Sequence, residues 1–199
     1  MSVASYSAAE YSPFPMRKFS VEEYHQLGRA GVLTERDSVE LLEGWIVPKM
    51  NHNPAHDGTI ELVEDNLRPR LPDGWRIRIQ STITTPDSEP EPDLAIVRGP
   101  AGRYVAEHPI QPDIAFVVEV AESSLSRDRD KRRLYARAMI AVFWIVNLVD
   151  RRVEVYTDPT GPDAAPAYRR REDFGPGQEV PVVIEGLLVG RLAVANLLP

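Results

Sequence analysis

The chain has 199 residues, 43% of them hydrophobic and 27% charged, which suits one domain with a real core and an ordinary soluble balance. It contains no cysteine, so disulfides, thiolate zinc sites and cysteine nucleophiles are excluded. Its net charge of −7 argues against a broadly basic nucleic-acid face, since phosphate contacts dominate such binding, yet leaves room for a local basic groove. No apolar run approaches the roughly 20 residues of a spanning helix, so no membrane partner is expected. Met1–Met16 lacks the basic start and apolar centre of a signal peptide. It is expected to be a flexible or partner-docked arm before one domain over 17–199, in a cytoplasmic protein.

Ser20-Val-Glu-Glu23 is a capping box and predicts a short helix to about Ala30, stopped at Gly31. Val39–Val47 predicts a hairpin or bent strand with Glu43-Gly44 at or near its turn. Pro48–Pro54 is loop, and His56 opens a helix in which His56, Ile60, Val63 and Leu67 share a face. Trp75–Thr84 alternates as a two-faced strand that carries Gln80. Pro86–Pro92 is an acidic, proline-rich connection, and Asp93–Val97 is a short apolar strand. Gly99–Pro112 is a long loop expected near the site. Ile114–Ala121 is a strand, Asp128–Ala138 a helix, and Ala141–Val149 and Arg152–Tyr156 are strands joined at Asp150-Arg151. Two or three short strands close the chain. The pattern predicts an α/β or α+β sheet with helices on its faces.

Glu119 stands inside Asp113-Ile-Ala-Phe-Val-Val-Glu-Val-Ala121, an apolar, β-branched run of the kind buried on both faces. A carboxylate there is costly without a compensating partner. Asp93 begins the preceding strand and Lys131 lies on the following helix. Adjacent strands lie about 4.8 Å apart, so both carboxylates reach one ion. Their mutual repulsion is relieved by Mg²⁺ or Mn²⁺, with the Val120 carbonyl as a further ligand. Lys131 then orients the attacking water or stabilises developing charge, the chemistry of metal-assisted phosphodiester hydrolysis. A buried Asp–Glu–Lys cluster that only fixes strand register stands beside this reading.

Pro92-Asp93, Glu119-Val-Ala-Glu-Ser-Ser-Leu125, Asp128-Arg129, Lys131, Leu134-Tyr-Ala136 and Phe143-Trp-Ile-Val146 resemble, in order and spacing, the Uma-type restriction endonuclease family of the PD-(D/E)XK nuclease superfamily. Phe19-Ser-Val-Glu-Glu-Tyr24 and Val39-Glu-Leu-Leu-Glu-Gly44 belong to the same pattern, so the likeness runs from about Lys18 to Leu198. The resemblance implies a restriction-endonuclease-like α/β core with a mixed sheet flanked by helices, Mg²⁺-dependent cleavage of DNA, and often a homodimer. It gives Asp93 and Glu119 the positions of the two superfamily acids. The lysine expected two residues after the second acid is Ala121 here, and the resemblance points instead to Lys131. Glu40 takes the acidic position of the early Val-Glu-Leu segment and could add a ligand or position water. His56 matches a histidine after the proline-rich loop and could meet phosphate or a carboxylate. Gln80, on the strand before Asp93, could point into the same cleft. Met139, Val142 and Phe143 replace a glycine and a Glu-Tyr pair common in the family. That makes the region more apolar, as in a core strand or a dimer interface.

Two basic clusters, Arg127–Arg137 and Arg169–Arg171, read as solvated surface or as a local groove. His25, His52 and His108 read as surface or loop residues, and Asn53-Pro54 argues against a zinc pair of His52 with His56. Ser123 and Ser124 read as caps of the turn after the Glu119 strand. A nuclease-fold binding or assembly module without catalysis, and a hydrolase of RNA or another phosphodiester, are the alternative functions.

Overall fold

The computed structural model describes residues 14–34, 36–50 and 53–199; residues 1–13 of the expected arm, and His52, lie outside them. In chain order the elements are α1 (Val21–Arg29), β1 (Val39–Leu42), β2 (Trp45–Pro48), α2 (Pro54–Leu67), β3 (Trp75–Ile79), β4 (Leu94–Arg98), β5 (Ile114–Ala121), α3 (Leu125–Arg137), β6 (Val142–Asn147), β7 (Arg152–Pro159), β8 (Tyr168–Phe174), β9 (Glu179–Ile184) and β10 (Leu187–Ala193). The apolar runs pair into a six-stranded sheet in the order β3–β4–β5–β6–β7–β8. Only β5 and β6 are parallel, with α3 as the crossover between them, so the sheet is mixed as expected.

Strand alternation sends β5 side chains to two cores. Phe116, Val118 and Val120 pack with Ile60, Val63 and Leu67 of α2 and with the β9–β10 hairpin. Val117 and Ala121 pack with Leu134 and Tyr135 of α3 on the opposite face. Every residue of β5 is buried, which is why its sequence is a continuous apolar run rather than an alternating one. Each such Val, Ile or Leu contributes about 1.5–3 kcal/mol of burial. The β4–β5 ladder shifts register between Ile96–Phe116 and Val97–Ile114, which leaves Ala115 as a bulge with Ala115 and Phe116 on one face.

The strand before Asp93 and the loop after β4 depart from expectation. The strand expected over Trp75–Thr84 stops at Ile79 because Gln80 adopts φ 42 and donates its N–H to the Asp93 carbonyl at 3.0 Å. The long 99–113 loop leaves from the far end of β4, and none of its residues lines the cleft described below; this corrects the expectation that it lies near the site. The Pro86–Pro92 connection is no simple surface linker. Glu89 N–H donates to Leu41 O at 2.7 Å and Ser88 Oγ accepts from Glu43 N–H at 2.8 Å, which fastens the β1–β2 hairpin to the sheet. That hairpin turns on Glu43 (φ 50) and Gly44 (φ 82), where a Cβ on Gly44 would come within 2.7 Å of Lys18 Cβ. Among the described residues no helix is long and apolar enough to cross a membrane.

The capping box of α1 forms in both directions, and the helix ends with Val32 N–H on Leu27 O and Gly31 N–H on Gly28 O. Helix α3 ends in the same pattern, with Ile140 N–H on Tyr135 O and Met139 N–H on Ala136 O. The left-handed residue is Gly31 (φ 70) in α1 but Met139 (φ 60) in α3. Val142 and Phe143, beyond it, lie in the core. A left-handed non-glycine costs about 1–2 kcal/mol, partly offset by the chain entropy that glycine would lose on folding. Met139→Gly should therefore stabilise the fold by about 0.5–1 kcal/mol, a Tm rise of about 1–4 °C in a thermal melt. A fall in Tm would show that the Met139 side chain contributes more than its backbone costs.

Candidate active site

The chemistry-bearing residues meet where β4 starts and β5 ends. Leu94 pairs with Val118, so Asp93 comes opposite Glu119 on the neighbouring strand. Asp93, 6% exposed, accepts the Val120 N–H at 2.7 Å and lies 3.2 Å from His56 Nε2 through the same Oδ2. Ala121 O accepts from Leu148 N–H on the β6 side, so the Val120 carbonyl, one residue earlier, projects from the opposite edge, toward Asp93. His56 is held by the start of α2, where the Asn53 side chain caps the N–H groups of Ala55 and His56.

From the other side α3 brings Lys131, 7% exposed, with Nζ donating to Glu119 Oε1 at 3.0 Å. Tyr135, one turn later, donates its hydroxyl to the same oxygen at 2.6 Å. Asp128 is buried one turn before Lys131, its Oδ1 3.9 Å from Nζ, and Ser124 donates its hydroxyl to it. Glu40 of β1 is buried too, paired with Arg127 at 2.8 Å and accepting the Glu91 N–H at 3.3 Å. The resulting cleft of about 340 Å³ is lined by Glu40, His56, Gln80, Asp93, Glu119, Val120 and Lys131, the whole set singled out in the sequence.

Burial pushes the Glu119 carboxyl up to about 8, with the charges of Asp128 and Asp93 adding to it and Lys131 opposing. Burial raises Asp128 as well. Burial works against the Lys131 charge, but the carboxylates of Glu119, Glu40 and Asp128 outweigh it and hold the ammonium protonated. The Lys131 ammonium thus stays charged beside a Glu119 carboxyl held high by burial and acidic neighbours. Such an excess of buried negative charge favours a cation. Asp93, Glu119 and the Val120 carbonyl offer hard oxygen donors of the kind Mg²⁺ or Mn²⁺ takes. Among the described residues no group of three or more His, Asp or Glu side chains is arranged to hold a metal ion.

Several participants escaped the sequence reading. Helix α3 begins at Leu125 rather than Asp128, because its first turn, Leu125-Ser-Arg-Asp128, is polar where it faces the cleft instead of a core. Arg127, read only as part of a basic cluster, and Asp128, read only as part of the family motif, therefore gain a place at the site; the Asp128–Lys131 spacing of one helical turn is the signal for the second. Ser124 does not cap the backbone as expected but spends its hydroxyl on Asp128. Tyr135 enters the sequence reading only within the Leu134-Tyr-Ala136 motif, with no site role. His25 is at the surface as expected, its side chain 37% exposed, and its Nε2 lies 2.8 Å from the buried Glu89 carboxylate, outside the cleft.

The family model described as "Uma2: Putative restriction endonuclease" matches residues 21–195. A solved structure described as "a putative nuclease belonging to DUF820", from Anabaena variabilis ATCC 29413, superposes with a TM-score of 0.65 at 17% identity, covering 90% of this chain and 97% of that one. At that identity the likeness speaks for the fold. Among proteins with curated descriptions none matches the chain.

Burial disfavours the charged form of His56, but its hydrogen bond and charge pairing with Asp93, and more weakly with Asp57, overcome this and raise it to about 8. A folded value above the unfolded value of about 6.5 gives stability that is complete below that pH and lost as pH rises through 8. His56 borders the open cleft, so solvent screening reduces the effect to about 1 kcal/mol. Glu119, raised by burial, acts in the same direction. In chelator, urea unfolding should show stability falling between pH 6.5 and 8, and His56→Gln should flatten part of that fall. An unchanged pH slope in the variant would remove His56 from the network.

Proposed function

Because the chain belongs to the Uma2 family of restriction-endonuclease-like proteins, we propose that it is a metal-dependent endonuclease that hydrolyses DNA phosphodiester bonds. The observation that carries this reading is the convergence of Asp93, Glu119 and Lys131 on one cleft, with the lysine 3.0 Å from the second acid although it comes from α3. Asp93 and Glu119, with the Val120 carbonyl, would hold Mg²⁺ or Mn²⁺. A bound divalent cation supplies charge stabilisation at the phosphoryl oxygen and acidifies water. Lys131 offers a fixed ammonium to the scissile phosphate or the attacking water, and Tyr135 holds Glu119 in one orientation by its hydroxyl. Glu40 keeps Arg127 at the cleft wall, and His56 fixes the Asp93 carboxylate. We also propose a homodimer, which sedimentation would test. Ala121 in place of the superfamily lysine favours a second reading, a nuclease-fold binding module.

Purified protein should nick or cleave DNA in Mg²⁺ or Mn²⁺ and stop in chelator. Asp93→Asn and Glu119→Gln should each lower the rate by at least about 10²-fold, and Lys131→Met by a similar factor. Mn²⁺ binding by calorimetry should be lost in Asp93→Asn but kept in Lys131→Met. Absence of cleavage across duplex, single-stranded and branched DNA defeats the nuclease reading, and cleavage of RNA alone moves the substrate. Absence of metal binding favours the module.

A further inference from the structure

Acids outnumber bases on the cleft wall. Glu40, Glu91, Asp93, Glu119, Glu122 and Asp128 line it with Lys49, Arg127, Lys131 and His56, so a polyanion extending beyond the scissile group needs a further cationic surface. The other flank of α3 has the reverse balance. There the two basic clusters of the sequence meet, α3 from the first and β8 from the second, around a recess of about 350 Å³ lined by Arg129, Arg132, Arg133, Arg171, Tyr156 and Tyr168. Asp130, which is exposed, is the one acid on its wall.

These arginines are not equivalent. Arg129 is bound through Nε at 3.2 Å and through Nη2 to Glu154, a carboxylate with 0% exposure. Arg133 pairs with Glu43 at 2.5 Å, and Arg171 with Asp173 at 2.7 Å. Arg132 has no carboxylate within 4 Å among the described residues. Its one hydrogen bond there runs from Nε to the Arg129 carbonyl, which leaves both terminal nitrogens unengaged by protein. Its guanidinium lies 5.4 Å from the Tyr156 ring centroid, and that of Arg171 lies 5.6 Å from the same ring. A planar guanidinium held on an aromatic ring with its fork open suits a phosphate oxygen pair.

We propose that this recess is a second, non-catalytic site for the phosphodiester backbone of nucleic acid, with Arg132 as the phosphate donor and Tyr156 as the platform that holds it. The proposal rests on reading the cleft as a nuclease site. Recess and cleft are served by strands three places apart, about 14 Å at the usual spacing, which duplex rising about 3.4 Å per base pair covers in roughly four base pairs. One polyanion reaches both.

The test measures anisotropy of labelled duplex DNA, single-stranded DNA and RNA against salt, in chelator, for the wild-type chain, Arg132→Gln and Arg132→Lys. Loss of one phosphate contact should reduce the log–log salt slope by about 1 and weaken binding by about 10-fold near 0.1 M salt in Arg132→Gln. Arg132→Lys should retain the slope, and Arg132→Ala provides a second loss if Arg132→Gln melts early. Metal-dependent hydrolysis of a small phosphodiester such as bis(p-nitrophenyl) phosphate should be unchanged in Arg132→Gln. An unchanged slope in a folded Arg132→Gln or Arg132→Ala variant, or no salt-dependent binding of any nucleic acid by the wild-type chain, overturns the proposal. Arg132-dependent binding without cleavage by the wild-type chain would keep this site and defeat only the nuclease reading.

Discussion

The buried contact between Glu119 and Lys131 fixes the relation of α3 to the sheet. A carboxylate in the middle of an all-buried strand is tolerable only with partners at hydrogen-bonding distance, and α3 supplies two of them one turn apart, Lys131 and Tyr135. Removing either ion would strand the other in a low-dielectric interior, at a cost of about 3–5 kcal/mol. The pairing therefore specifies the rotation of α3 about its own axis. With that rotation set, Arg127, Asp128 and Lys131 face the cleft, while Arg129 and Arg132 face the arginine–tyrosine recess.

The absent strand lysine has a packing explanation. Ala121, two residues after Glu119 and on the same face, has 0% exposure and packs in the cluster formed by Leu134 and Tyr135 of α3. A lysine at that position would compete with the helix for one space. With alanine there, the helix approaches closely enough for its own lysine to reach the carboxylate. The cation beside Glu119 comes from the helix, at the distance of a direct ion pair.

The legible parts of the sequence were those in which one constraint dominates. An unbroken β-branched run around Glu119 has few explanations besides a strand buried on both faces, and a charge inside it demands partners nearby. The α1 capping box is local and formed as written. What escaped depended on several segments at once. The first turn of α3 is polar because it faces a cleft built by β1, α2 and β4, and no local periodicity reports that. The burial of Glu89 and Ser88 in a proline-rich connection follows from the docking of the β1–β2 hairpin, and their composition alone suggests solvent. Likewise the meeting of Arg132 with Arg171 requires the pairing of β7 with β8.

The bulge at Ala115 has an evolutionary consequence. In a regular strand, gain or loss of one residue inverts the facing of everything beyond it. Here the irregularity falls between the long 99–113 loop and the carboxylate, where an additional residue is already accommodated outside the ladder. A residue gained or lost between Asp113 and Ala115 can be taken up at the bulge, so the facing of Glu119 toward α3 does not depend on an exact count at the start of the strand.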